Sequence, residues 1–125
     1  MTVRAIHPVG GPKPMAPYSP AIDTGGLVFV SGQIGVSSSG DLPDGIAAQA
    51  EQALKNLAGV LDAAGLSMSD VAKTTCFLAD INDFNAFNDV YSKHVGDPPP
   101  ARSTYQVGAL PRGARIEIEA IAVRG

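Results

Sequence analysis

Between Asp44 and Gly65 the apolar residues Ile46, Ala50, Leu54, Leu57, Leu61 and Ala64 recur every three or four positions. That spacing lays one apolar stripe along an α-helix, with Asp44 placed to cap its start and Gly65 to end it. The same period returns near Asn82, where Phe84, Phe87, Asn88, Tyr91 and Val95 share a face until Gly96 and Pro98-Pro99-Pro100 stop the helix. Elsewhere the pattern is that of strands. Ala21 to Thr24 and Leu27 to Val30 flank Gly25-Gly26, a dipeptide whose tolerance of positive φ suits a two-residue hairpin turn. The second of these strands runs on through Ser31-Gly32-Gln33-Ile34, and a glycine inside a strand lets another backbone or a ligand come close. Val71 to Leu78 is rich in β-formers and has the length of an interior strand. Arg102 to Val107 and Arg115 to Val123 finish the chain. The first twenty residues carry Pro8, Pro12, Pro14, Pro17 and Pro20, which deny backbone donors, so an irregular arm is expected there.

The order strand, strand, helix, strand, helix, strand, strand predicts one α+β domain over residues 1–125, a mixed β-sheet with two helices on one face. No glycine fingerprint joins a strand to a helix, so nucleotide binding is not indicated. A sheet covered on one side leaves apolar residues such as Ile116, Ile118 and Ala120 on the other, and self-association is expected to bury them.

Composition narrows the function. Apolar residues make up 45% and charged residues 17% of the 125, as in a globular domain able to bury a core without staples. The net charge is −3 and the nine Lys and Arg are scattered singly, so no basic stripe is offered to a phosphate backbone and nucleic acid is unlikely as a partner. No apolar run approaches the length of a membrane span, nor does the N-terminus read as a signal peptide, which predicts a cytoplasmic protein. Cys76 is the single cysteine and His7 and His94 stand far apart. Neither a disulfide nor a His/Cys metal cluster is expected, and no cofactor is called for.

A few residues stand out chemically. Glu119 lies in Ile116-Glu117-Ile118-Glu119-Ala120-Ile121-Ala122-Val123, where period two sets it on a face with Glu117, Ile121 and Val123. It is either a partly desolvated proton-transfer group or a glutamate at a strand end, exposed or paired with a surface arginine. Arg102 opens a strand just after the proline stop; it either offers a bidentate fork to a carboxylate or snorkels to solvent. Asn88 sits on an apolar helix face and must tie two elements together or face a ligand. Tyr18 and Ser31 are ambiguous alone. Cys76, mid-strand, reads as a small buried hydrophobe, and His94 as a helix-terminal cation.

These residues fall within segments that together are specific: Ala16-Pro17-Tyr18-Ser19, Phe29-Val30-Ser31-Gly32-Gln33-Ile34, Ala48 to Leu57, Val71-Ala72-Lys73-Thr74-Thr75, Phe87-Asn88-Asp89-Val90-Tyr91, Pro100-Ala101-Arg102-Ser103 and Ile116 to Ala122. Through them the chain resembles, almost end to end, the Rid family of reactive intermediate deaminases, also called the YjgF type. The resemblance implies a chorismate-mutase-like fold assembled as a homotrimer with clefts between subunits. It implies hydrolysis of 2-imino and enamine acids released by pyridoxal-phosphate enzymes, such as 2-iminobutanoate or 2-iminopropanoate, to 2-oxo acids and ammonia. Carried over, Arg102 would clamp the substrate carboxylate, Glu119 would orient and activate water, and Tyr18, Ser31 and Asn88 would line the cleft. Active members usually have Cys where this chain has Thr104; the backbone carbonyl there, which helps hold the water, survives the change, while the branched hydroxyl side chain bears on substrate choice. A ligand-binding trimer without turnover, or a deaminase for an aminomuconate-like catabolic enamine, shares the same fold. Ribonuclease activity, a label attached to some relatives, fits poorly with the acidic balance and the lack of a histidine pair.

Overall fold

The computed structural model describes residues 2–10 and 14–125; Pro12 of the expected arm lies outside them. Eight main elements follow in order: β1 (Arg4–Ile6), β2 (Ala21–Asp23), β3 (Leu27–Gln33), α1 (Ile46–Ala63), β4 (Val71–Leu78), α2 (Phe84–Tyr91), β5 (Ala101–Gln106) and β6 (Ile116–Val123). The strands form one six-stranded sheet in the order β1-β2-β3-β6-β4-β5. All neighbours are antiparallel except β4 and β5. That parallel pair needs a crossover, and α2 supplies it.

Each element grows from its local pattern. Thr24 N–H donates to the Leu27 carbonyl at 2.9 Å across Gly25-Gly26, and Gly25 takes φ 101°, so the hairpin closes in two residues as expected. Ala50, Leu54, Leu57 and Leu61 of α1 are fully buried, and Gly65 at φ 76° ends the helix while Leu66 N–H donates back to the Leu61 carbonyl at 2.9 Å. Those four pack with Phe87, Leu78, Ile116 and Ile118 into a continuous core between the helices and the sheet. Among the described residues no helix is long and apolar enough to cross a membrane.

Four expectations need correction. The N-terminal arm is not wholly irregular: β1 pairs with β2 from Arg4 to Ile6, ahead of the first proline, where every backbone N–H is still present. Asp44 does not cap α1. Gly45 holds the cap position at φ 88° and no side chain bonds to the first turn. The second helix is shorter than its apolar stripe, because Ile81–Asp83 is a 3₁₀ turn capped by the Asp80 carboxylate, and Lys93 and His94 N–H donate three residues back, tightening the chain after Tyr91. Finally, Ile116, Ile118 and Ala120 face the helices and are buried. Period two leaves Glu117, Glu119, Ile121 and Val123 on the uncovered face, because the uninterrupted aliphatic side of β6 joins the core and the side interleaved with acids cannot.

Buried Asp23 ties the sheet's outer edge together. It accepts from Arg4 at 3.2 Å and Arg124 at 2.8 Å, and its other oxygen accepts the Gly25 N–H at 2.8 Å. The Gly25 bond, with the two arginines, holds its pKa below the ordinary value.

Candidate functional site

Arg102 sits near the start of edge strand β5, directly paired with Thr74 of β4. Thr74 is fully buried on the helix side, and the Arg102 side chain follows to that side. Its guanidinium lies 4.8 Å from the Tyr91 ring centroid, 5.5 Å from that of Phe84 and 5.7 Å from that of Phe87. Three aromatic faces on or beside α2 thus hold the cation by its quadrupole attraction. Among the described residues it has no ion pair and no hydrogen bond, so its planar donors remain free.

Arg102 closes one wall of an open cleft of about 490 Å³, shared with Asn88, Tyr91, Val95, Pro99 and Pro100, and it is the single charged residue of the lining. Among the described residues Asn88 Oδ1 is buried with no partner, as is Thr104 Oγ1. A buried amide oxygen without a donor is unfavourable in a finished interior. The Asn88 oxygen bonds no other element here, so it does not tie two elements together through that atom. Cys76, paired in register with Thr104, is fully buried, and desolvation pushes its thiol up to about 11, so it is inert packing as expected. His94 is held by Glu51 at 3.0 Å, bracing α2 against α1, and the bond lowers the glutamate's pKa.

A second group stands on the uncovered face. The β3–β6 register slips by one residue between Val30 and Gln33, and this bulge carries Ser31 and Gly32. Ser31 donates through Oγ to the Ser19 carbonyl at 2.6 Å and through its N–H to the Pro20 carbonyl at 2.9 Å, so it fixes the segment that bears exposed Tyr18. Gly32 backs onto Glu117: a Cβ added there would lie 2.5 Å from Glu117 Oε2. The close approach at Gly32 is thus made by a side-chain carboxylate rather than by the backbone or ligand expected there. Burial, and then the neighbouring charge of Glu119, raise the Glu117 pKa. Glu119 itself is exposed.

The sheet register separates these groups. Glu119 pairs with Thr75, whereas Arg102 pairs with Thr74, one residue earlier on the same strand. Adjacent residues of a pleated strand point to opposite faces. Arg102, Asn88 and Thr104 therefore gather on the helix side, and Ser31, Glu117 and Glu119 on the other. The sequence did not single out Glu117 or Tyr91, which the structure places among these groups. Glu117 was masked by its twin two positions on, and the glycine opposite it was the available signal. Among the described residues no group of three His, Cys, Asp or Glu is placed to share a metal ion.

Comparison with known proteins agrees with this architecture. The family model described as Endoribonuclease L-PSP matches residues 10–124. A rat protein named 2-iminobutanoate/2-iminopropanoate deaminase is 53% identical over 98% of this chain and 90% of its own length. The mouse protein of that name is 48% identical over 98% and 92% respectively. The crystal structure of the YjgF gene product from E. coli superposes with a TM-score of 0.91 at 41% identity, covering 98% of this chain and 99% of that one. That of E. coli TdcF with bound serine gives 0.90 at 40% identity, covering 98% and 99%. With the mixed sheet, its two one-sided helices and the near full-length match in hand, the chain belongs to the Endoribonuclease L-PSP family, the Rid or YjgF proteins.

Proposed function

We propose that this protein hydrolyses reactive 2-imino acids, such as 2-iminobutanoate or 2-iminopropanoate, to 2-oxo acids and ammonia, at clefts shared between copies of the chain. The observation that carries the reading is Arg102: stacked on three rings with its hydrogen-bond donors free, it is the only charge in a cleft with apolar walls. Such a guanidinium is suited to a planar carboxylate, which it can meet with two parallel bonds. The unpartnered Asn88 oxygen in the same cleft accepts a hydrogen bond from the substrate nitrogen or from water. The names of the rat and mouse relatives point to the same substrates.

The acid we assign is Glu117 rather than Glu119. It is the more buried of the two, it is fitted against Gly32 beside Ser31, and its raised pKa brings it nearer the range where a carboxylate both takes and returns a proton. Glu119 contributes its charge, which lifts its neighbour's affinity for a proton. The steps balance simply. Water gives a proton to the Glu117 carboxylate as its oxygen bonds to the imine carbon and the C=N π electrons pass to nitrogen. The protonated acid returns that proton to nitrogen, giving a carbinolamine, and the carboxylate then takes the hydroxyl proton and passes it to nitrogen as the C–N bond breaks, so that ammonia leaves and the carbonyl forms. The Thr104 backbone carbonyl is a second partner for the water, and Tyr18 and Ser31 form the cleft's far wall.

Because Arg102 and Glu117 point from opposite faces of one sheet, a complete site requires the β5 side of one copy against the uncovered face of the next. That face carries exposed Leu27, Phe29 and Val123, with Phe77 and Tyr105 edge to face at 5.4 Å, an apolar area suited to burial in a closed ring. We read the ring as a homotrimer, working in the cytoplasm on a small-molecule 2-imino acid. RNA cleavage fits less well, since His94 is engaged by Glu51 and His7 is exposed beyond β1.

The test couples a threonine dehydratase to the protein and traps free imine with semicarbazide. Wild type should outrun the trap and raise 2-oxobutanoate formation. No acceleration, or full activity in Arg102→Ala, overturns the proposal.

A further inference from the structure

Thr74 lies at the middle of β4 with no exposed surface, on the side of the sheet that otherwise packs aliphatic groups against the helices. A valine would fill the same shape, and a hydroxyl in such surroundings is unfavourable unless it is bonded. Its short bond runs to the Tyr91 hydroxyl at 2.7 Å, and the Cys76 thiol donates weakly to the same oxygen at 4.0 Å. Tyr91 is itself nearly buried on α2 and leans on Phe87 with ring centroids 5.4 Å apart. Its ring is therefore fixed at two points, at its flank by Phe87 and at its tip by Thr74.

That ring is the nearest of the three beneath the Arg102 guanidinium. Since Thr74 and Arg102 are directly paired across β4 and β5, the contacts close a loop from strand to helix and back to the same rung. Arg102 has no acceptor of its own among the described residues, so the plane of its guanidinium is set by what lies under it. A shift of that plane would misalign a bidentate partner, and misplacement by about an ångström is enough to cost rate or affinity.

We propose that Thr74 and Tyr91 are positioning residues, a buried hydroxyl pair that seats the Arg102 guanidinium at the one angle where both of its free donors meet a substrate carboxylate. The inference rests on the reading of Arg102 as the carboxylate clamp. It adds that the clamp's precision comes from a hydrogen bond on its own chain, one layer beneath the cleft. Burial raises the Tyr91 pKa, so the phenol keeps its proton and the bond persists through the neutral range.

The experiment measures binding of 2-oxobutanoate and of its amide, 2-oxobutanamide, to the full-length assembled protein by calorimetry, alongside kcat and KM from the coupled assay. Tyr91→Phe keeps the ring and Thr74→Val keeps the shape. Each is expected to weaken 2-oxobutanoate binding and raise KM by about three- to tenfold, with kcat within about twofold and amide binding unchanged. The double variant should be no worse than either single one, because both remove the same bond. Thr74→Ser, which restores a hydroxyl, should recover tight binding. An unchanged preference for acid over amide in Tyr91→Phe and Thr74→Val, while Arg102→Ala abolishes that preference, overturns the positioning role and leaves the clamp standing. Retention of the preference in Arg102→Ala overturns the clamp, and this inference with it.

Discussion

The cleft beside β5 and the uncovered face around β3 and β6 treat their charged groups in opposite ways. In the cleft, Arg102 rests on Tyr91, Phe84 and Phe87 and keeps its donors free, so its own chain stabilises the cation without satisfying it. On the uncovered face, Glu117 is pressed against a glycine beside a second carboxylate, and both burial and the like charge oppose its ionisation. One region offers a fixed cation to an anion, and the other holds a carboxylate ready to accept a proton. In the proposed site each region supplies what the other lacks, and the sheet between them keeps one chain from joining the two.

The sharpest ways to break that comparison remove one charge at a time. Arg102→Ala should lower kcat/KM by about a hundred- to a thousandfold, the scale of losing one partner of a desolvated hydrogen-bonded charge pair, with Arg102→Lys in between. Glu117→Gln should lower kcat by about a hundredfold, and Glu119→Gln by no more than severalfold. Steady-state kinetics that reverse the order of the two glutamates would return the acid to Glu119.

A mixing experiment asks whether the halves belong to different copies. Arg102→Ala and Glu117→Gln proteins, each nearly inactive, should regain activity after joint unfolding and reassembly. In a randomly mixed closed ring about a quarter of the sites would again carry both residues. No recovery would place both residues of a working site on one chain.

Two smaller effects sharpen the account of the uncovered face. Gly32→Ala sets a Cβ against the Glu117 carboxylate and should lower kcat by about tenfold by displacing it. The pH dependence of stability carries the other. The folded pKa of Glu117 lies above its ordinary value of 4.5, so its protonated form favours the fold below that value and the benefit is lost as pH rises through the raised pKa. Glu117→Gln should therefore raise Tm at neutral pH by about one to a few degrees. The gain should vanish below pH 4.5 in thermal melts.

Much of this arrangement was legible from periodicity. The buried stripe of α1, the two-glycine turn, β4 to the residue and both C-terminal strands to within one residue follow from patterns of period 3.6 and 2, because each element buries one face and that face must recur. What escaped had non-local causes. Strand β1 depends on β2 as a partner, and three residues carry no period of their own. The cap of α1 went to Gly45 because the backbone there turns through a positive φ, which a nearby aspartate cannot reveal. The candidate site was legible in part. Arg102, Glu119, Asn88, Tyr18, Ser31 and Thr104 were singled out, and Glu117 was not: both glutamates occupy the same face of β6, and the bulge that brings Gly32 against Glu117 gives it a setting that no period reveals.

The sequence by itself determined most of the elements, the α+β class, the family resemblance and an inventory of groups chemically suited to a carboxylate and a proton, because these depend on residue type and short-range spacing. The tertiary structure alone decided that Arg102 stands on aromatic rings, one of which, Tyr91, is bonded to Thr74, that Glu117 is the more desolvated acid, and that the two lie on opposite faces of one sheet. Those outcomes depend on strand register, where a shift of a single residue sends a side chain to the other side, and register is settled by every strand in the sheet at once.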